Sequence, residues 1–163
     1  MTRVCMLGDE SVNLQYELLS RETSRNALAT YDLREPYENA VALETVSLGA
    51  AVSLLNDLNW YLVRFVEDVL VLEPSVSEEE WLSRDVATAV RDNDLSAEET
   101  DRFLKIYGVL EPEATGPDEP DQDRPPKLVE PMFVTRTGPD LPEYDLRDVE
   151  ETLTVRVTKS EFE

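Results

Sequence analysis

Between Ser47 and Leu72 the chain reads SLGAAVSLLNDLNWYLVRFVEDVLVL, and within it Leu48, Ala51, Leu55, Leu58, Leu62 and Phe65 recur at spacings of 3, 4, 3, 4 and 3. That is the period of one helix face. The other apolar runs are too short or too polar to form a core by themselves, so the fold has to bury this ridge. Ser47 is a suitable N-cap, because its hydroxyl can accept from an orphan first-turn N–H. Ser53, Asn56, Asp57, Arg64 and Glu67 fall largely on the opposite side. Val69 to Leu72 reads next as a short buried strand stopped by Pro74. The spacing predicts one long central helix, roughly 30 Å in length at about 1.5 Å per residue. A second reading competes, because Trp60 to Val66 is rich in aromatic and β-branched residues and also suits a strand. The helix would then end near Asn59, and Glu67-Asp68 would have to turn the chain, a poor pair for a hairpin. On a continuous helix Trp60 lies on the polar side. An indole there marks either a contact surface or a spot covered by another part of the chain, such as the C-terminal segment.

Before this stretch, Arg3 to Leu7 reads as a buried strand ended by Gly8. Val12, Leu14, Tyr16 and Leu18 alternate as in a half-buried strand, although Leu14, Leu18 and Leu19 also share a helical face. Ser20 to Asn26 is wholly polar and reads as a break, followed by a short helix over 24–31 and a loop containing Pro36. Ala40 to Val46 has β character. After Pro74, Ser77 with Glu80 and Ser96 with Glu99 are two capping-box signatures. They predict paired helices over 77–91 and 96–107, the second ended by Gly108. Glu111 to Lys127 holds five of the ten prolines and almost no apolar mass, so it reads as a linker unable to offset its own ordering entropy. Beyond it, Val129 to Thr137 and the alternation Leu153, Val155, Val157 read as two strands of a C-terminal hairpin. The expectation is an α+β fold, a small mixed sheet packed against a long central helix, with a two-helix segment and a C-terminal β-hairpin. Its parts are a globular domain at 1–112, an acidic Pro-rich linker at 113–127 and a hairpin segment at 128–163.

Charge limits function more than any motif does. The chain has 163 residues, with 36 acidic against 15 basic side chains and a formal net charge of −21. Only Lys105, Lys127 and Lys159 are lysine, and Ile106 is the one isoleucine. This composition suits a protein working in molar salt, where a Debye length of about 3 Å screens self-repulsion among carboxylates. Against such a background, surface acidity discriminates little between partners. No apolar run reaches the roughly 18 residues of a membrane span, and the first residues lack a signal pattern. The expected setting is therefore cytoplasmic, with no membrane contact.

There are no histidines, which removes imidazole bases and His-ligated zinc. Cys5 is the single cysteine, in an apolar strand pattern where a thiol acts as a small hydrophobe. The five glycines form no phosphate loop. Asp92-x-Asp94-x-Ser96 opens like a calcium loop but continues with Ala97 and Phe103 where Gly and Glu are needed. No catalytic, cofactor or metal residues are assigned. The paired helices resemble a helix-turn-helix in length only, and their acidic balance argues against nucleic acid. The candidate partner or anion contacts are Arg21, Arg25, Trp60, Trp81 and Arg84.

The segments YELLSRETSR (16–25), SLGA (47–50), WYLVR (60–64) and EWLSR (80–84) resemble a small acidic haloarchaeal protein family of unknown function, over residues 1 to about 110. The resemblance implies a haloarchaeal, cytoplasmic origin and brings no activity, cofactor or site residue with it. The leading functional expectation is a non-catalytic interaction or regulatory module, contacting a protein partner or another copy of itself through its C-terminal hairpin, Trp60 or Trp81. The alternatives are an enzyme using carboxylate, Tyr or Arg chemistry, and a nucleic-acid-binding protein.

Overall fold

The computed structural model describes residues 1–96, 99–100, 102–110, 126–135, 151–158 and 161. The elements run β1 (Thr2–Gly8), α1 (Leu14–Leu19), α2 (Glu22–Leu28), β2 (Ala40–Thr45), α3 (Leu48–Asp57), α4 (Asn59–Phe65), β3 (Val66–Leu72), β4 (Trp81–Ser83), α5 (Arg84–Arg91), β5 (Phe103–Leu110), β6 (Lys127–Thr135) and β7 (Glu151–Val157). The fold is α+β. Its seven strands form one mixed sheet in the order β2-β1-β3-β4-β7-β5-β6. Neighbours are antiparallel except β4 and β7, whose short parallel pairing sets Trp81 against Val155 and Leu82 against Arg156. No helix among the described residues is long and apolar enough to cross a membrane.

The strands inside the sheet bury both of their faces, whereas the edge strand β6 stays half-buried or exposed at its described side chains. Val4, Met6, Leu43 and Val71 point to one side, where Leu14, Leu18, Leu55, Leu58 and Val86 from the helices cover them. Cys5, Leu7, Leu70, Tyr107, Leu153 and Val155 point to the other. Among the described residues, no helix covers this second core. It is closed by the sheet curling over it, so that Ala40 of β2 and Leu128 of β6, from opposite edges, share one cluster. The Glu38 amide donates to the Pro126 carbonyl at 2.8 Å, tying together the segments that enter the two edge strands.

Ser47 caps α3 as the sequence implies, its Oγ accepting from the Ala50 amide at 3.1 Å. The single long helix is not formed. The helix breaks at Leu58 (φ −92°, ψ 3°) and restarts as α4. Arg84 stabilises the break, donating to the Leu55 carbonyl at 3.4 Å and to the side-chain oxygens of Asn56 and Asn59 at 3.2 and 2.9 Å. Because the phase survives the break, Leu55, Leu58 and Leu62 all stay buried. The strand reading of Trp60 to Val66 also fails, since α4 runs to Phe65 and β3 starts at Val66.

Other expectations need correction. Residues 14–19 are helical, capped by the Asn13 side chain, and the polar run 20–26 contains most of α2. The two-helix segment is replaced by strand–helix–strand. Ser77 Oγ does accept from the Glu79 and Glu80 amides, but no helix follows. Leu82 instead pairs with Val71 and Arg156 in the sheet and is fully buried. Ser83 then caps α5, accepting from the Val86 amide at 3.2 Å. Residues 103–107, expected as the end of a helix, belong to β5, because pairing on both sides with β6 and β7 satisfies their backbone. For the same reason the C-terminal strands are not a hairpin: each pairs with β5 rather than with the other. The segment 113–125 of the expected linker lies outside the described residues.

Gly8 shows why the end of β1 takes its form. A Cβ there would lie 2.6 Å from Asn39 Nδ2 and 2.8 Å from Leu14 Cβ. Asn39 itself has a left-handed backbone (φ 58°). Its side chain accepts from the Leu14 amide and donates to the carbonyls of Asp9 and Val12, each at 2.9 Å, fastening the loop into α1.

Candidate functional site

The structure brings together two of the five candidate contact residues. Arg21 stands at the N-terminus of α2 and Trp60 in the first turn of α4, yet the Arg21 guanidinium lies 5.3 Å from the Trp60 ring centroid and 5.2 Å from that of Phe65. A third residue completes the group. The Arg64 guanidinium lies 3.9 Å from the Trp60 centroid, and its Nη1 donates to the Trp60 carbonyl at 2.9 Å. Tyr61 and Phe65 meet the indole edge-on, at 5.0 and 6.1 Å between centroids. Arg64 was not singled out from the sequence, although its i, i+4 spacing from Trp60 was the available signal.

Trp60 remains 46% exposed within this frame, and beside it Val63 is 72% exposed. Tyr16, on the neighbouring α1, is 67% exposed. Arg21 also pairs with Glu17 at 3.4 Å. Arg64 makes no ion pair with a described carboxylate, although acidic residues outnumber basic ones by 36 to 15. The result is a small guanidinium-and-aromatic face on an otherwise acidic molecule.

The remaining candidates lie elsewhere. Trp81 is half-buried and packs against the inner core. Arg84 is engaged at the α3–α4 break. Arg25 is exposed in the last turn of α2.

A second constellation, unforeseen from the sequence, lies inside the curl. Asp68 Oδ2 accepts from Lys105 Nζ at 2.6 Å and from the Tyr107 hydroxyl at 2.7 Å, while Oδ1 accepts from the Val69 amide. Burial pushes the Tyr107 phenol well above the ordinary phenolic range, and the Asp68 charge adds to this. Tyr107 is therefore a standing hydrogen-bond donor and a poor base. Burial likewise pushes the Cys5 thiol up to about 12, with Asp68 again the second cause, which denies it thiolate reactivity near neutral pH. Tyr107 also forms part of a cleft of about 580 Å³, lined from the end of β1, the start of α1, the segment entering β2, and β5 and β6. Among the described residues, no three His, Cys, Asp or Glu side chains gather closely enough to hold a metal ion.

A family model described as a family of unknown function, DUF5804, matches residues 2–109. No curated protein and no solved structure matches the chain.

Proposed function

The chain belongs to that family of unknown function, and since membership brings no activity with it, we propose from the geometry that it is a non-catalytic interaction module whose contact face is centred on Trp60. The observation that carries this reading is an exposed indole held in one orientation by Arg21, Arg64 and Phe65. Trp, Tyr and Arg are the side chains in which binding energy concentrates, and a pre-ordered side chain loses less entropy on contact. The other expected contact points are engaged in the fold, Trp81 against the inner core and the C-terminal strands in the sheet. A non-catalytic role also agrees with a phenol and a thiol that both stay protonated. The partner is a protein surface bearing carboxylates, which Arg64 and Arg21 can meet beside the indole.

The setting we propose is the cytoplasm of a salt-adapted archaeon, on the strength of the composition. In about 1 M KCl screening suppresses the self-repulsion of a chain at −21, whereas at low salt that repulsion opposes folding. Helical circular dichroism should persist in concentrated KCl and fall on dialysis to dilute buffer. A melting temperature independent of KCl would count against the proposed setting.

The face is tested by affinity capture from the native extract in concentrated KCl, with Trp60→Ala in parallel. A protein retained by the wild type and lost from Trp60→Ala, at unchanged circular dichroism, supports the reading. Recovery of the wild type alone at monomer mass, or capture indifferent to Trp60→Ala, overturns it.

A further inference from the structure

The sheet is pinched at β4. This strand holds β3 through two register pairs, Leu70 with Ser83 and Val71 with Leu82, and holds β7 through two more, Trp81 with Val155 and Leu82 with Arg156. Every other pair of neighbouring strands shares six or seven. The two cores divide along the same line. Every residue of the helix-covered core lies between Val4 and Leu95. The inner core is instead a junction: Cys5, Leu7, Ala40 and Leu70 come from one side of β4, and Tyr107, Val109, Leu153, Val155 and Val157 from the other.

We propose that the sheet is hinged at this pinch: β7-β5-β6 swings as a unit away from a body made of β2-β1-β3, β4 and the helices, and a small set of charged and polar ties latches it shut. The Trp60 face sits on the body, and neither feature depends on the other.

The ties span the pinch from both faces. Arg156 of β7 is buried and donates to Glu80 Oε1 at 2.8 Å and to Thr100 Oγ1 at 2.9 Å. On the inner face, Asp68 of β3 accepts from Lys105 and Tyr107 of β5. Ser83, at the end of β4, donates to Glu161 Oε1 at 2.6 Å. At the far edges, the Glu38 amide meets the Pro126 carbonyl.

Such ties are reversible. An ion pair parted inside the protein leaves uncompensated charges at a large penalty, whereas a pair parted into water regains the hydration that burial had cost. The pairs therefore fix the closed register firmly and resist full opening only modestly. The main resistance is the apolar area of the inner core. The body keeps its own core throughout, because no residue of that core comes from β5, β6 or β7. Opening is thus a sub-global event, lying below the free energy of complete unfolding.

Cys5 reports the event. It is the single cysteine, fully buried on the inner face, and burial pushes its thiol up to about 12, so a thiol reagent reaches it when the two parts separate. The full chain in about 2 M KCl, where screening leaves only close contacts, is labelled with methyl methanethiosulfonate at fixed pH over a range of urea. Labelling is read by mass spectrometry, and global unfolding by circular dichroism in the same solutions. Labelling should depend on urea much less steeply than global unfolding does, since the slope scales with the surface exposed. Arg156→Gln should speed labelling by about tenfold or more, the equivalent of one partly buried ion pair. Glu80→Gln, which keeps a hydrogen-bond acceptor and removes the charge, should act in the same direction to a smaller extent. Val52→Ala thins the body's core; it should lower the urea midpoint of global unfolding and leave the labelling rate without urea unchanged. Labelling as steep in urea as global unfolding, labelling accelerated by Val52→Ala in step with the lost global stability, or folded Arg156→Gln and Glu80→Gln proteins that label at the wild-type rate would overturn the proposal.

Discussion

Asp68 illustrates how one residue decides the chemistry of its surroundings. It lies on the inner face of β3 in register with Leu7, among apolar neighbours, and is satisfied by Lys105, Tyr107 and the Val69 amide. Burial first, and the Asp68 charge second, raise the Tyr107 phenol above its unfolded value of about 10. The folded state therefore binds the phenolic proton more tightly than the unfolded state. The stability this contributes is fully present below about pH 10 and is lost as pH rises beyond it. Thermal melts of the wild type and Tyr107→Phe should consequently run parallel near neutrality and diverge above about pH 10, the wild type falling faster. Curves that stay parallel into the alkaline range would show that Tyr107 titrates normally.

At the scale of elements, the α3–α4 pair carries the helix-covered core. Leu55 is fully buried, so Leu55→Ala should destabilise by about 2–5 kcal/mol in denaturant melts performed in KCl. Arg84→Ala should cost less, about 1–2 kcal/mol, since it removes partly exposed hydrogen bonds at the break rather than core volume. A near-zero value for Leu55→Ala would mean that the helix presents another face. Much of this element was legible beforehand: the Ser47 cap and the ridge from Leu48 to Phe65 are local signals, and both are used as the periodicity implies. The break at Leu58 was not legible, because it depends on Arg84 arriving from another part of the chain. The serine signatures show the same division. Ser77 makes its local bonds as a capping residue would, but Ser83 caps the helix that forms, because residues 81–83 have pairing partners on either side.

For the whole molecule, the sheet order matters more than the order of elements along the chain. All of β5 but its last residue lies within the family-matched span 2–109, yet its pairing partners are β6 and β7, both beyond that span. β7 is also the strand that joins β5 to β4. A chain ending at Leu110 would leave β5 without its neighbours and strip Leu153, Val155 and Val157 from the inner core. Such a truncation should lose its cooperative thermal transition in KCl and elute as aggregate in size exclusion. A monomeric truncation melting at the wild-type temperature would show that residues 1–110 suffice. The candidate face belongs to this scale as well, since Arg21 and Trp60 meet only after the helices pack, and no spacing between positions 21 and 60 announces it.

What the amino-acid order determined unaided was whatever depends on near neighbours: the Ser47 helix start, the buried ridge, the apolar strands β1 and β2, and the strand segments that became β6 and β7. Caps and periodicity act over one or two turns, so they can be read locally. The tertiary structure decided which segments became strands where local preference favoured helix, as in β4 and β5, and which side chains met, as in Asp68 with Lys105 and Tyr107. Those outcomes rest on pairing between distant positions. A residue's intrinsic preference is worth only tenths of a kcal/mol, whereas a neighbouring strand satisfies its backbone and buries its side chain together.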